Sequence, residues 1–198
     1  MQSALPSSLP FGHPNASLQD SLTGKIVLSI AATGLVAICA HISLPLHFTL
    51  VPLTLQTFAV ILIGMLLGPI AGFLSMALYL AEGASGLPVF SPHGPGGVAQ
   101  LLGPTAGYLF SFPLAAAFAG FAVRATRSIP SRFTSGIIAG TIASLPIFVL
   151  GAAWLAHLLH LGSTSAWHLA IAPFLPGEAI KITAAAALFS SLQRWRQS

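Results

Sequence analysis

The stretch LTLQTFAVILIGMLLGPIAGFLSMALYLAE, from Leu53 to Glu82, decides the fold. Its single charged residue is the glutamate at its end. An α-helix rises about 1.5 Å per residue, and a hydrocarbon core about 30 Å thick takes roughly 20 apolar residues to cross. This run is long enough, but Gly68-Pro69 interrupts it. Leu-Leu-Gly-Pro stops one helix and restarts another with proline in its first turn. The stretch therefore reads as two compact helices, Leu53–Leu67 and Ile70–Glu82, with a re-entrant hairpin as the alternative.

Four further apolar stretches flank this pair: Lys25–Leu46, Thr105–Val123, Phe133–Leu161 and Pro176–Leu192. Only 5% of the 198 residues are charged, 55% are hydrophobic, and the mean hydropathy is +0.89. A soluble domain carries roughly 25% charged residues; at a fifth of that, the outer surface needs hydrocarbon as its solvent. The expected fold is an all-α integral membrane protein, a compact six-transmembrane-helix bundle over residues 23–194. Residues 1–22, polar and rich in Pro and Ser without a basic n-region, read as a disordered cytoplasmic lead rather than a cleaved signal.

Seven Lys/Arg against three acids give a net charge of +4. The basic residues flank apolar segments, which points to membrane orientation rather than nucleic acid. Six spans put Lys25, Arg124, Arg127, Arg132, Arg194 and Arg196 on one side with both termini, and that side is then cytoplasmic. The connections His47–Thr54, Gly83–Pro104 and Gly162–Pro176 fall on the outer face, where they can cover an outward-facing pocket.

After this sorting, Glu82, Glu178 and Lys181 are left in the apolar region. Charges at membrane depth are costly unless paired or facing a cavity, so they mark candidate sites. Pro176 suits a first helical turn, which places Glu178 near a helix N-terminus that favours a carboxylate. Lys181, three residues on, shares its face. An interfacial i,i+3 ion pair is the plain reading; convergence of three distant charges on one side favours a ligand pocket.

Two loops supply uncharged chemistry. Pro45 and Pro52 keep their linker extended, and Thr54, Gln56 and Thr57 then offer donors and acceptors where a helix begins, as caps or as ligand contacts. The run from Gly83 to Tyr108 is glycine-rich, with Gly96 and Gly97 able to bring backbone close to a ligand. Leu87, Val89 and Phe90 in it argue against plain disorder. Ser29, Thr33 and Ala37 form a small-residue stripe suited to close helix approach, either internally or with a partner.

Several chemistries lack their residues. There is no G-x-x-x-x-G-K-[ST], no H-E-x-x-H, no cysteine cluster, and no nucleophile with an evident base beside it. Cys39 is a lone packing residue, and His157 and His160 form no ligand motif of their own. The expectation is no enzyme, no metal and no bound cofactor.

The segments Val51–Thr57 (VPLTLQT), Gly86–Phe90 (GLPVF), Leu102–Tyr108 (LGPTAGY) and Pro173–Lys181 (PFLPGEAIK) resemble, in order and spacing, the BioY family of biotin-binding S components of energy-coupling factor transporters. The resemblance covers Ile30 to Leu192. It implies a six-helix protein of the prokaryotic cytoplasmic membrane that captures biotin from outside. It also implies partners, a transmembrane coupling subunit and a pair of ABC-type ATPases that use the ATP. The family's P-x-D-x-x-K has Glu178 at its acidic position here. The substrate contacts it suggests are Glu178, Lys181, Glu82, Gln56, Thr54, Phe90, Tyr108 and the backbone of Gly96 and Gly97. The stripe Ser29, Thr33 and Ala37 is the nearest match to the docking surface, though it departs from the usual alanine-rich form. An S component for another vitamin is the alternative.

Overall fold

The computed structural model describes residues 22–195. The expected lead over 1–22 lies outside them apart from Leu22, which begins the first helix, and so does Arg196. The chain folds as α1 (Leu22–His41), β1 (Ser43–Leu44), β2 (Leu53–Thr54), α2 (Gln56–Leu67), α3 (Pro69–Ala84), α4 (Gly97–Leu101), α5 (Ala106–Ala125), α6 (Arg132–Leu159), α7 (Ser163–Ala166) and α8 (Leu175–Trp195). A π-helical turn (Trp167–Ile171) and a 3-10 turn (Ala172–Phe174) join α7 to α8.

Among the described residues, four helical segments are long and apolar enough to cross a membrane: Thr23–His41, Ala106–Ala125, Arg132–Leu159 and Ser163–Trp195. Two apolar helices, Gln56–Leu67 and Pro69–Ala84, are shorter. Large apolar side chains such as Ile30, Ile38, Ile70, Val149 and Ile180 are exposed on the outer faces. Only hydrocarbon makes such a surface stable. The protein is a helical integral membrane protein.

The expected second helix begins at Gln56 rather than Leu53, and the first ends at His41 rather than Leu46. The intervening residues form a short antiparallel ladder, with Ser43 opposite Thr54 and Leu44 opposite Leu53. Prolines at 45 and 52 forbid helix across the linker, so its backbone groups pair with each other instead. The segment Gly162–Pro176, expected as a loop, is helical for most of its length and runs directly into α8. The long glycine-rich connection likewise contains α4.

Helix α2 lies at the centre of the bundle, where Ala59 to Met65 is buried without a break. A helix apolar all round belongs inside other helices, and a central one can be short because its ends are covered by protein. Small residues allow this density. A β-carbon added to Gly64 would land on the Ala116 carbonyl, and one added to Gly120 would meet the Pro69 amide nitrogen. The kink between α2 and α3 at Gly68, with φ of 81°, thus seats against a glycine of α5.

The stripe Ser29, Thr33 and Ala37 turns inward. Ser75 donates to the Ser29 hydroxyl at 3.2 Å, Thr33 is 3% exposed, and Ala37 packs on the core that includes Met76 and Tyr79. It is the seam between α1 and α3. The outer face of α1 is instead Ile30, Ala31, Gly34, Leu35 and Ile38.

Candidate binding site

The N-terminal ends of α2, α5 and α8 converge beside the second half of α6 around a narrow cavity of about 60 Å3. Its walls are apolar and aromatic: Leu109, Phe112, Ile147, Phe148, Phe174 and the ring of Tyr108. Val51, Pro52, Ser91 and Gln100 close it from the two connections.

One polar cluster dominates. Glu178 and Lys181, one turn apart on α8, are 3% and 8% exposed and form an ion pair of 2.8 Å through Oε2. Lys181 Nζ also donates to Thr57 Oγ1 at 2.6 Å and to the Thr54 carbonyl at 3.2 Å. Its three protons are therefore all committed. Thr57 passes its own proton to Glu178 Oε2 at 2.8 Å. Ser144 Oγ on α6 lies 2.8 Å from Glu178 Oε1. Oε1 thus carries one protein donor and has a lone pair left over, whereas Oε2 holds two. A buried ion pair persists only with such extra hydrogen bonds, because desolvation otherwise outweighs the Coulomb attraction.

A second polar chain fastens the roof. Thr54 Oγ1 donates to Gln56 Oε1 at 3.0 Å, Gln56 Nε2 to the Tyr79 hydroxyl at 2.8 Å, and that hydroxyl to the Val89 carbonyl at 2.7 Å. It links β2, α2, α3 and the loop after Pro88. Gln100 fixes the rest of the loop: its Oε1 accepts from the Gly96 amide at 3.2 Å and its Nε2 reaches the Ser91 carbonyl at 3.5 Å. The Ser91 hydroxyl is buried in the cavity wall with no partner among the described residues.

Of the sequence-derived candidates, Glu178, Lys181, Gln56, Thr54 and Tyr108 line the cavity. The others do not. Glu82 points toward α1, where it accepts from Thr33 Oγ1 at 3.1 Å. Phe90 is buried edge-on to Tyr79, with centroids 5.5 Å apart, in a slot that Gly83 leaves open. It anchors the loop from below. Gly96 and Gly97 have φ of 71° and 58° and start α4, but the Gly96 amide is spent on Gln100. Ser144, Gln100 and Ser91 were missed. A lone glutamine in the apolar run Val98–Leu102 was a usable signal, while the serines had none, since serine recurs along the whole chain.

Glu82→Gln is accordingly expected to change ligand affinity by no more than about twofold, with only a small loss of melting temperature from the Thr33 contact. Titration calorimetry and thermal unfolding check this; a large affinity loss would return Glu82 to the site.

Among the described residues no group of three or more His, Cys, Asp or Glu can hold a metal. A membrane bundle with a mostly apolar cavity and a braced carboxylate in its wall is a membrane-embedded small-molecule-binding protein. Within that class the sequence is more particular. The BioY family model matches residues 12–198, and the chain belongs to that family. It is 39% identical over 143 residues to the "Probable biotin transporter BioY" of Pyrococcus horikoshii, covering 72% of this chain and 81% of that one. It is 33% identical over 187 residues to the "Biotin transporter BioY" of Rhodobacter capsulatus, covering 90% and 94%. Its fold matches the crystal structure of an S-component for biotin from an ECF-type ABC transporter with a TM-score of 0.78 and 26% identity, over 86% and 90% of the two chains.

Proposed function

We propose that this chain binds biotin and serves in its uptake as the substrate-binding component of an ECF-type transporter. The observation that carries the proposal is the spare acceptor capacity of Glu178 Oε1 in the cavity wall. A ureido ring presents N–H donors and a carbonyl. A buried carboxylate held in place by Ser144, Thr57 and Lys181 accepts such an N–H in a charge-assisted bond. Because all three Lys181 protons are engaged within the protein, Lys181 acts as the counter-ion of Glu178 rather than as a ligand contact. The Ser91 hydroxyl is a free partner for another polar group of the ligand. The aromatic walls suit the thioether ring and the aliphatic tail.

Six crossings complete the reading, with α2 and α3 as compact spans inside the bundle. Lys25, Arg124, Arg127, Arg132 and Arg194 lie at helix ends opposite those that form the cavity, which supports cytoplasmic termini and an outward-facing pocket in the cytoplasmic membrane. The sequence has no P-loop, so ATP would act through ATPase subunits joined by a transmembrane coupling subunit. The role is binding rather than catalysis, with biotin as cargo and no resident cofactor.

Calorimetric titration of the purified protein with biotin, desthiobiotin, biotin amide and thiamine tests the assignment. Tight biotin binding is expected, with desthiobiotin weaker but measurable because it keeps the ureido ring. Thiamine should give no heat. Tight binding of thiamine with none of biotin would replace the assignment with that of another vitamin carrier.

A further inference from the structure

At the end of the bundle away from the biotin cavity, a second cavity of about 360 Å3 opens between the α2–α3 kink, α5, the start of α6 and the end of α8. Three guanidinium groups line it, from Arg124, Arg127 and Arg132. None has a hydrogen-bond or ion-pair partner among the described residues, and the two described acids, Glu82 and Glu178, belong to the opposite end. Arg124 is held against the kink, since a β-carbon added to Gly68 would come within 3.0 Å of its Nη2. The floor is apolar, from Met65, Leu66, Val123 and Phe189. Arg124 and Leu67 also line an adjoining groove between α1 and α3, with Lys25 at its mouth and Leu28, Ile70 and Leu74 along it. Ile70 and Leu74 are 70% and 58% exposed.

We propose that this cavity binds the headgroup of an anionic phospholipid, with the phosphodiester among Arg124, Arg127 and Arg132 and one acyl chain in the α1–α3 groove. Three cations clustered at one cavity, with no counter-ion among the described residues, repel one another and favour an anion between them. Guanidinium groups favour phosphate because their planar N–H forks match its oxygens. A soluble phosphate would satisfy the arginines alone. The apolar floor and the groove that shares Arg124 and Leu67 select a ligand whose phosphate is attached to hydrocarbon. The site is independent of biotin and makes no use of the cavity around Glu178.

The full-length protein in phosphatidylcholine nanodiscs with and without phosphatidylglycerol provides the test, read by native mass spectrometry of retained lipid and by melting temperature. Phosphatidylglycerol should be retained in preference to phosphatidylcholine and raise the melting temperature. The triple variant Arg124→Gln/Arg127→Gln/Arg132→Gln should lose that preference, by roughly fivefold per arginine, while biotin affinity stays unchanged. Should the triple variant fail to fold, Arg127→Gln alone, at an exposed position, should still give the single step. Equal retention of both lipids, or an unaltered preference in a folded variant, overturns the proposal. So does inorganic phosphate reproducing the full stabilisation, which would make the site one for soluble anions. Loss of association with a partner protein while lipid preference persists would instead assign the arginines to a protein contact.

Discussion

Replacing Glu178 with glutamine is expected to raise the Kd for biotin by roughly 100- to 1,000-fold, because it removes the acceptor charge and leaves Lys181 buried without its counter-ion. The two losses can be separated. Removing one partner of a buried pair destabilises by about 3–5 kcal/mol, whereas replacing both with apolar groups is often neutral. Glu178→Gln alone should therefore lower the melting temperature of the unliganded protein. Glu178→Gln combined with Lys181→Met should recover much of that stability and none of the binding. A double variant that bound biotin normally would show that the carboxylate braces the bundle without touching the ligand. Ser144→Ala should give a milder form of the same defect, since Oε1 loses its one protein donor but keeps its charge.

Gly120→Val is expected to be among the most damaging single substitutions away from the cavity. The new side chain would meet the Pro69 backbone nitrogen and the Gly68 carbonyl carbon at the α2–α3 kink, and no flexible side-chain end can yield there. Overpacking costs about 1–3 kcal/mol where neighbours can shift, and occasionally more. Here the obstacle is backbone at a proline, so the upper end applies, equivalent to a fall in melting temperature of about 6–12 °C. Because that kink also positions α2, biotin binding should weaken in parallel. Gly34→Val is the matched control: nothing lies within 4 Å of a β-carbon there, and the change should stay within about 0.5 kcal/mol. Thermal unfolding in detergent with both variants decides the matter. Equal stability would mean that the α2–α5 contact is looser than its glycines imply.

Much of this molecule was legible in one dimension. The uncharged run expected as a compact helix over Leu53–Leu67 is one from Gln56, Gly68-Pro69 breaks it as read, and the four motifs around Gln56, Phe90, Tyr108 and Lys181 identified the family. That Glu178 and Lys181 share one helical face was also readable, because both residues sit on one helix whose 3.6-residue period fixes their relation without help from the rest of the chain.

What sequence could not assign was which groups meet across helices. Glu82 and Tyr79 are three residues apart on α3, yet one faces α1 and accepts from Thr33 while the other joins the chain from Gln56 to Val89. That choice depends on the rotation of α3 between α1 and α5. The small seam residues Ser29, Ser75, Gly72 and Ala116 set that rotation, and their partners are known only once the helices have packed. Phe90 was drawn out of the ligand cavity for a similar reason, since Gly83 leaves a slot that its ring fills. Ser144 and Thr57 became the braces of Glu178 from 34 and 121 residues away. Local sequence fixes a helix and the angle between two of its own side chains. The free energy of burying a charge is met by donors on other helices, and only the tertiary structure brings those donors to it.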